Sequence, residues 1–194
     1  MNIESKVLLA VQSLIQQYGI RKFTLDQVAS FLHISKKTIY NHFSSKDQII
    51  TLYVKQIIDS NYAKVKNLTT SDLPFLAKIR AIIREEHSYK LPVSSLEDIK
   101  NYYPELWNEI QEVKNFNIKC VNQLLSEAQQ SGFLKQEIDT DLLSSLIEKI
   151  GELVIDPDFL IKHQITSSKL LDKIINTTLY GLISDSYREK KRQF

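Results

Sequence analysis

With 194 residues, 43% of them hydrophobic, the chain can bury a core of one or two domains, and its four glycines and four prolines are too few for the turns of a sandwich, barrel or propeller. The lone cysteine, Cys120, excludes a disulfide framework or a multi-cysteine metal centre and fits a reducing, cytoplasmic setting, while apolar runs of about five residues fall short of the roughly 20 that span a bilayer. Net charge is only +2, yet residues 1–67 carry nine Lys or Arg against four Asp or Glu and the remainder 16 against 19, an asymmetry that suits an N-terminal part facing a polyanion.

Between Ile3 and Tyr18 the apolar residues Val7, Leu8, Val11, Leu14, Ile15 and Tyr18 fall on one helical stripe, and Gly19 ends it. Thr24 supplies a capping hydroxyl for a second helix of about eight residues, Leu25 to Leu32, with Asp26 in its first turn. Ser35 caps a third from Lys36 to Phe43, which leaves His33-Ile34-Ser35 as a turn of helix-turn-helix length. After Ser44-Ser45 a fourth helix is predicted from Lys46 to about Asn67, a span of roughly 33 Å. Thr69 to Asp72 reads as loop and cap, Leu73 to Tyr89 as a fifth helix, and the stretch after Pro92 to about Tyr103 as a short sixth. Pro104, in a first helical position, opens a seventh that runs to about Ser131 and is closed by Gly132. Asp139 and Asp141 open the eighth, with the stripe Leu142, Leu143, Leu146, Ile147, Ile150, Leu153 and Val154. Beyond Asp156-Pro157-Asp158 a last helix carries Leu170, Leu171, Ile174, Ile175, Leu179, Leu182 and Ile183. The expected fold is all-α, with about nine helices.

The second and third helices hold the pattern that bears on function. Helix-turn-helix packing needs a small residue in the first helix, an apolar one just after the turn and apolar anchors in the second; Ala29, Ile34 and Ile39 stand at those offsets, with Phe43 one turn on. At about 100° per residue, if Ile39 and Phe43 face the core then Lys37 and Asn41 point away from it, where a groove would meet them. Lys36 and Tyr40 flank that face on one side, Thr38 and His42 on the other, which sets donors where phosphates border a major groove. Lys46 opens the fourth helix, where its charge and the helix dipole both favour a phosphate.

The run Thr24-Leu25-Asp26-Gln27-Val28-Ala29, continued by Ile34-Ser35-Lys36-Lys37-Thr38-Ile39-Tyr40-Asn41-His42-Phe43-Ser44-Ser45-Lys46, resembles the DNA-binding domain of the TetR family of bacterial transcriptional regulators. The resemblance covers about residues 4–55 and implies phosphate contacts by Thr24, Ser35, Thr38, Tyr40, His42 and Lys46, with Lys36, Lys37 and Asn41 as base readers. Lysine suits guanine O6/N7, and asparagine pairs bidentately with adenine. The family usually has glycine in the turn where this chain has His33, so a left-handed backbone or an altered turn is expected there.

The resemblance further implies a helix-turn-helix DNA-binding domain over residues 1–46 and a larger helical domain over 47–194 that binds a small-molecule effector and dimerises through the last two helices. Gly151 and Gly181 would let backbones approach there. Candidate pocket residues are Phe75, His87, Tyr89, Tyr102, Tyr103, Trp107, Phe116 and Cys120, whose rings with polar tips suit an amphipathic or aromatic molecule and equally suit ordinary core. No catalytic, metal or cofactor site is expected. The histidines 33, 42, 87 and 163 are scattered, the glycines are too dispersed for a phosphate-cradling loop, and Glu105, Glu109 and Glu112 read as a solvated face. The basic end, Arg188 to Arg192, reads as a tail. The expected function is a cytoplasmic, homodimeric repressor that binds a palindromic operator in double-stranded DNA and is released by an effector. A ligand-independent regulator or activator of the same fold, and a helical carrier or enzyme, are the alternatives.

Overall fold

The structure, a computed structural model, describes residues 2–87 and 91–154 together with residues 159, 162–165, 169–170, 172–174 and 177. Eight α-helices are delimited among the described residues: α1 (Ile3–Tyr18), α2 (Leu25–Leu32), α3 (Lys36–Tyr40), α4 (Lys46–Thr70), α5 (Phe75–His87), α6 (Val93–Tyr102), α7 (Pro104–Gln130) and α8 (Thr140–Val154). None is long and apolar enough to cross a membrane. The chain forms two compact units, one of Met1–Asn61 with Tyr89–Val113, the other of Tyr62–Ser88 with Lys114–Phe194.

In the first unit the predicted stripes become one core, except that Tyr18 at the end of α1 is exposed. Val7, Val11 and Ile15 of α1, Val28 of α2 and Ile39 of α3 are fully buried together with Ile20, Ile49, Ile50 and Val54, and Ile99, Leu106, Ile110 and Val113 of the later segment join the same cluster. Each of the first three helices starts on a side-chain cap. The Asn2 side chain accepts from the Ser5 amide, Thr24 from Gln27 and Ser35 from Thr38; Gln27 also reaches back to the Thr24 amide at 2.7 Å, which completes a capping box.

Between α2 and α3 His33 adopts the left-handed conformation, φ 54° and ψ 42°. Its amide bonds to Ser30 O and the Ile34 amide to Ala29 O at 3.0 Å, so two terminal carbonyls of α2 are satisfied by a Schellman closure. The turn therefore keeps the shape glycine would give it. The end of α7 closes the same way with glycine itself: Gly132, φ 72°, donates to Gln129 O and Phe133 to Ala128 O.

Three boundaries differ from the expectation. Helix α3 ends at Tyr40 rather than Phe43, because the chain tightens as the His42 amide bonds to Ile39 O, and the Phe43 amide also returns to Ile39 O. Phe43 still reaches the core, 2% exposed. Helix α4 continues through Thr69 and Thr70, whose hydroxyls donate to the carbonyls of Lys66 and Asn67 instead of capping a new helix. Helix α5 begins after Pro74, since a proline pushes the residue before it, Leu73, out of helical backbone, and the Pro74 carbonyl accepts from Ala77 and Lys78.

The second unit packs Val65, Ile79, Ile82, Ile83, Val121, Leu124, Leu125, Leu134, Leu143 and Leu170 into its own core. Asp139 caps α8 by accepting from the amides of Asp141 and Leu142. Of the last predicted helix, Leu170 and Ile174 belong to this core; Leu171, Ile175, Leu179, Leu182, Ile183, Gly181, the Asp156-Pro157-Asp158 turn and the basic end lie outside the described residues.

A left-handed backbone is strained for any residue with a Cβ, so His33→Gly is expected to raise the unfolding free energy by about 0.5–1 kcal/mol, relief of roughly 1–2 set against the greater freedom of glycine in the unfolded chain. Denaturant melts of the two proteins check this. A lower midpoint for the glycine variant would mean that the imidazole contributes more than its backbone strain removes.

Candidate nucleic-acid interface

Burial of Ile39 fixes the rotation of α3; Lys37 on it and Asn41 at its C-cap are exposed, and Phe43 just beyond is buried. Tyr40, half exposed, and His42 stand beside them, the latter with Nδ1 3.7 Å from Glu4 Oε1 on α1. The hydroxyls of Ser35 and Thr38 lie 2.9 Å apart at the start of α3, so the cap is itself a small hydrogen-bonded pair with exposed edges. Lys36, the first residue of α3, places Nζ 3.0 Å from Asp26 Oδ2 on α2, and that carboxylate raises the lysine's pKa. Thr24 is committed to its capping box at the mouth of α2.

Lys46 is held most firmly. Its Nζ donates to Arg21 O at 2.6 Å and lies 4.4 Å from the Phe23 ring centroid. Partial burial of the ammonium pushes its pKa down, Asp47 opposes that shift and Arg21 adds to it. An ammonium has three protons, so one can stay on the Arg21 carbonyl while the others face a phosphate. All nine predicted contact residues thus lie in the first unit, on or beside α2, α3 and the start of α4.

Sequence reasoning missed the residues of α6 and its end that tie this region together. Ser95, fully buried, accepts from the Ile20 amide at 3.2 Å. The Arg21 guanidinium sits 3.8 Å over the Tyr102 ring, and Tyr103 donates to Asp47 Oδ1 at 2.6 Å. Burial and then that bond push the Tyr103 phenol pKa well up, as burial alone takes Tyr53 to about 12. Residues 75 positions apart leave no local pattern to find.

The pocket candidates divide between the units. Tyr102, Tyr103 and Trp107 belong to the first, where Lys100 lies 5.8 Å from the Trp107 ring. Phe75, Phe116 and Cys120 belong to the second: Phe75 meets Phe133 edge to face at 5.2 Å, Phe116 stacks on Tyr62 at 4.3 Å, and burial raises the Cys120 thiol pKa. The side chain of His87 and all of Tyr89 lie outside the described residues. Not predicted was Asn122 on α7, whose buried amide oxygen has no hydrogen-bond partner among the described residues. Glu109 of the acidic face is engaged by Lys55 at 3.0 Å, and no group of three or more His, Cys, Asp or Glu side chains converges among the described residues.

The sequence profile described as bacterial regulatory proteins, tetR family, matches residues 8–51. The HTH-type transcriptional regulator YvaF of Bacillus subtilis (strain 168) is 26% identical over 186 residues, 94% of this chain and 97% of its own length. Among solved structures, the ketosteroid transcriptional regulator KstR2 of Mycobacterium tuberculosis superposes with a TM-score of 0.70 at 14% identity, covering 95% of this chain and 96% of that one. The regulator FadR of Bacillus subtilis, in complex with stearoyl-CoA, does so with a TM-score of 0.64 at 18% identity, covering 93% and 97%.

Ser95→Ala leaves the buried Ile20 amide without its acceptor, and a loss of about 1–3 kcal/mol is expected. Chemical denaturation of the whole chain measures it; an unchanged midpoint would show that water or another group takes over the amide.

Proposed function

From membership of the TetR family of bacterial regulatory proteins, which makes this chain a helix-turn-helix transcriptional regulator, we propose that it works as a cytoplasmic homodimeric repressor that binds a palindromic operator and leaves it when a small molecule binds. The observation that carries DNA reading is that Lys37 on α3 and Asn41 at its C-cap are exposed while Ile39 and Phe43 are buried. In this reading residues 1–46 read DNA and 47–194 bind the effector and the second copy. Lys36, Lys37 and Asn41 meet base edges; Thr24, Ser35, Thr38, Tyr40, His42 and Lys46 meet phosphates. Two copies set their reading heads one helical turn apart, roughly 34–36 Å. Leu142 and Leu146, one turn apart on α8 and 59% and 51% exposed, supply apolar surface for the partner.

The effector is assigned to the second unit, where a buried amide oxygen of Asn122 without a partner among the described residues offers a polar anchor, and where Phe116 and Cys120 belong to the apolar core. Such a site suits an amphipathic molecule. Its leverage on DNA affinity is bounded by the difference in its affinity for the two protein states.

Selection of bound sequences from random duplex DNA is expected to enrich an inverted repeat, and the Tyr40→Ala/Lys46→Ala protein to enrich none. Lys37→Ala and Asn41→Ala should shift the preferred bases. Lys46→Ala should weaken all sequences alike and flatten the dependence of log affinity on log salt by about one unit. An inverted repeat enriched equally by the double variant would reject the assigned contacts, and no enrichment by the unaltered protein would reject sequence-specific reading.

A further inference from the structure

Lys36 opens α3, where a positive side chain stands at the positive end of the helix dipole. Its partner is not on α3 but on α2: Asp26 Oδ2 at 3.0 Å, with both side chains exposed, Asp26 at 72%. Asp26 suits the first turn of α2 for its own dipole, and that alone would explain an acidic residue there. It does not explain why the carboxylate faces the first residue of the next helix. Lys37, one position on, makes no ion pair among the described residues. Neighbouring lysines at the start of the same helix are therefore electrostatically unlike, one compensated and one free.

Binding to random DNA is governed by how many phosphates the protein neutralises. A lysine whose charge is already met by a carboxylate adds less to that count than an unpaired one. Reading a base edge is different. A guanine presents O6 and N7 as adjacent acceptors for an ammonium, and the cytosine paired with it presents an N4 donor for a carboxylate. An ammonium and a carboxylate side by side match that edge, and they match an adenine–thymine pair poorly, since there the donor lies between two acceptors.

We infer that Asp26 is a specificity-determining residue that acts through Lys36: it withholds this lysine from phosphates on random DNA and releases it toward a guanine–cytosine pair in the operator. The inference rests on the DNA-reading function proposed above. Selectivity is a difference between two affinities, and here it is gained by weakening the wrong one.

The test uses the full chain and its Asp26→Asn, Lys36→Ala and doubly substituted forms. The probes are the inverted repeat enriched by the unaltered protein from random duplex DNA, and a mixed-sequence duplex of equal length. Asp26→Asn is expected to tighten binding to the mixed-sequence duplex by about fivefold per reading head near 0.15 M salt, the release of roughly one further counterion, and to steepen its salt dependence by about one unit. Affinity for the enriched repeat rises less, and selection with this variant loses a guanine–cytosine preference at one position of each half-site. In the Lys36→Ala background the same substitution is expected to change neither affinity by more than about twofold. An equal gain on both duplexes, or a gain that persists without Lys36, would overturn the inference and reduce Asp26 to a general negative charge. If the unaltered protein enriches no sequence, the DNA-reading function falls first and the inference with it. Unchanged thermal melts across the four forms keep these outcomes separate from misfolding.

Discussion

A helix of five residues such as α3 is too short to hold its shape alone, because helix nucleation fixes several dihedrals for the first hydrogen bond. What orients α3 is the burial of Ile39 and Phe43 against α1, α2 and α4. Once Ile39 is inside, the outward direction of Lys37 follows from the pitch of the helix, and Asn41, the C-cap, is exposed just past its end. The caps and the His33 turn refine this arrangement. They set where α3 begins and at what angle it leaves α2, but the apolar anchors decide which side chains are offered outward.

The second constraint is the set of polar ties around the α1–α2 loop. Lys46 reaches the Arg21 carbonyl from the start of α4, Ser95 takes the Ile20 amide, and Tyr102 and Tyr103 engage Arg21 and Asp47. Two of these ties, the buried amide and the partly buried ammonium, involve groups that are costly to leave unpartnered. Lys46 therefore serves the fold and the proposed phosphate contact at once, with different protons of one ammonium. Tyr102 and Tyr103, pocket candidates in the sequence, meet Arg21 of that loop and Asp47 of α4.

Much of the fold was legible because its signals are local. Thr24 with Gln27 and Ser35 with Thr38 are capping pairs three residues apart, and the ends of α1, α2 and α7 fall where Gly19, His33 and Gly132 leave the helical region. The lengths of α3 and α4 were not legible. No breaker marks Tyr40, and Thr69 and Thr70 look like caps until their hydroxyls bond back to their own helix. The outward residues of α3 followed from spacing alone. The link from Asp26 to Lys36 did not, because nothing in either helix shows which flank faces the other. Ties to Ser95 and Tyr103 depend on chain segments far apart in sequence, beyond the reach of periodicity.

The first compact unit is discontinuous along the chain, and this bears on how the protein is made. Its core is finished by Ile99, Leu106, Ile110 and Val113, which follow Ile39 and Phe43 by more than half the remaining length of the unit. Chains emerge from the ribosome N-terminus first, at roughly 5–20 residues per second, so the helix-turn-helix is exposed for several seconds before its last apolar partners are available. During that interval the nascent segment presents Ile20 with no Ser95 beneath it and an incomplete apolar cluster.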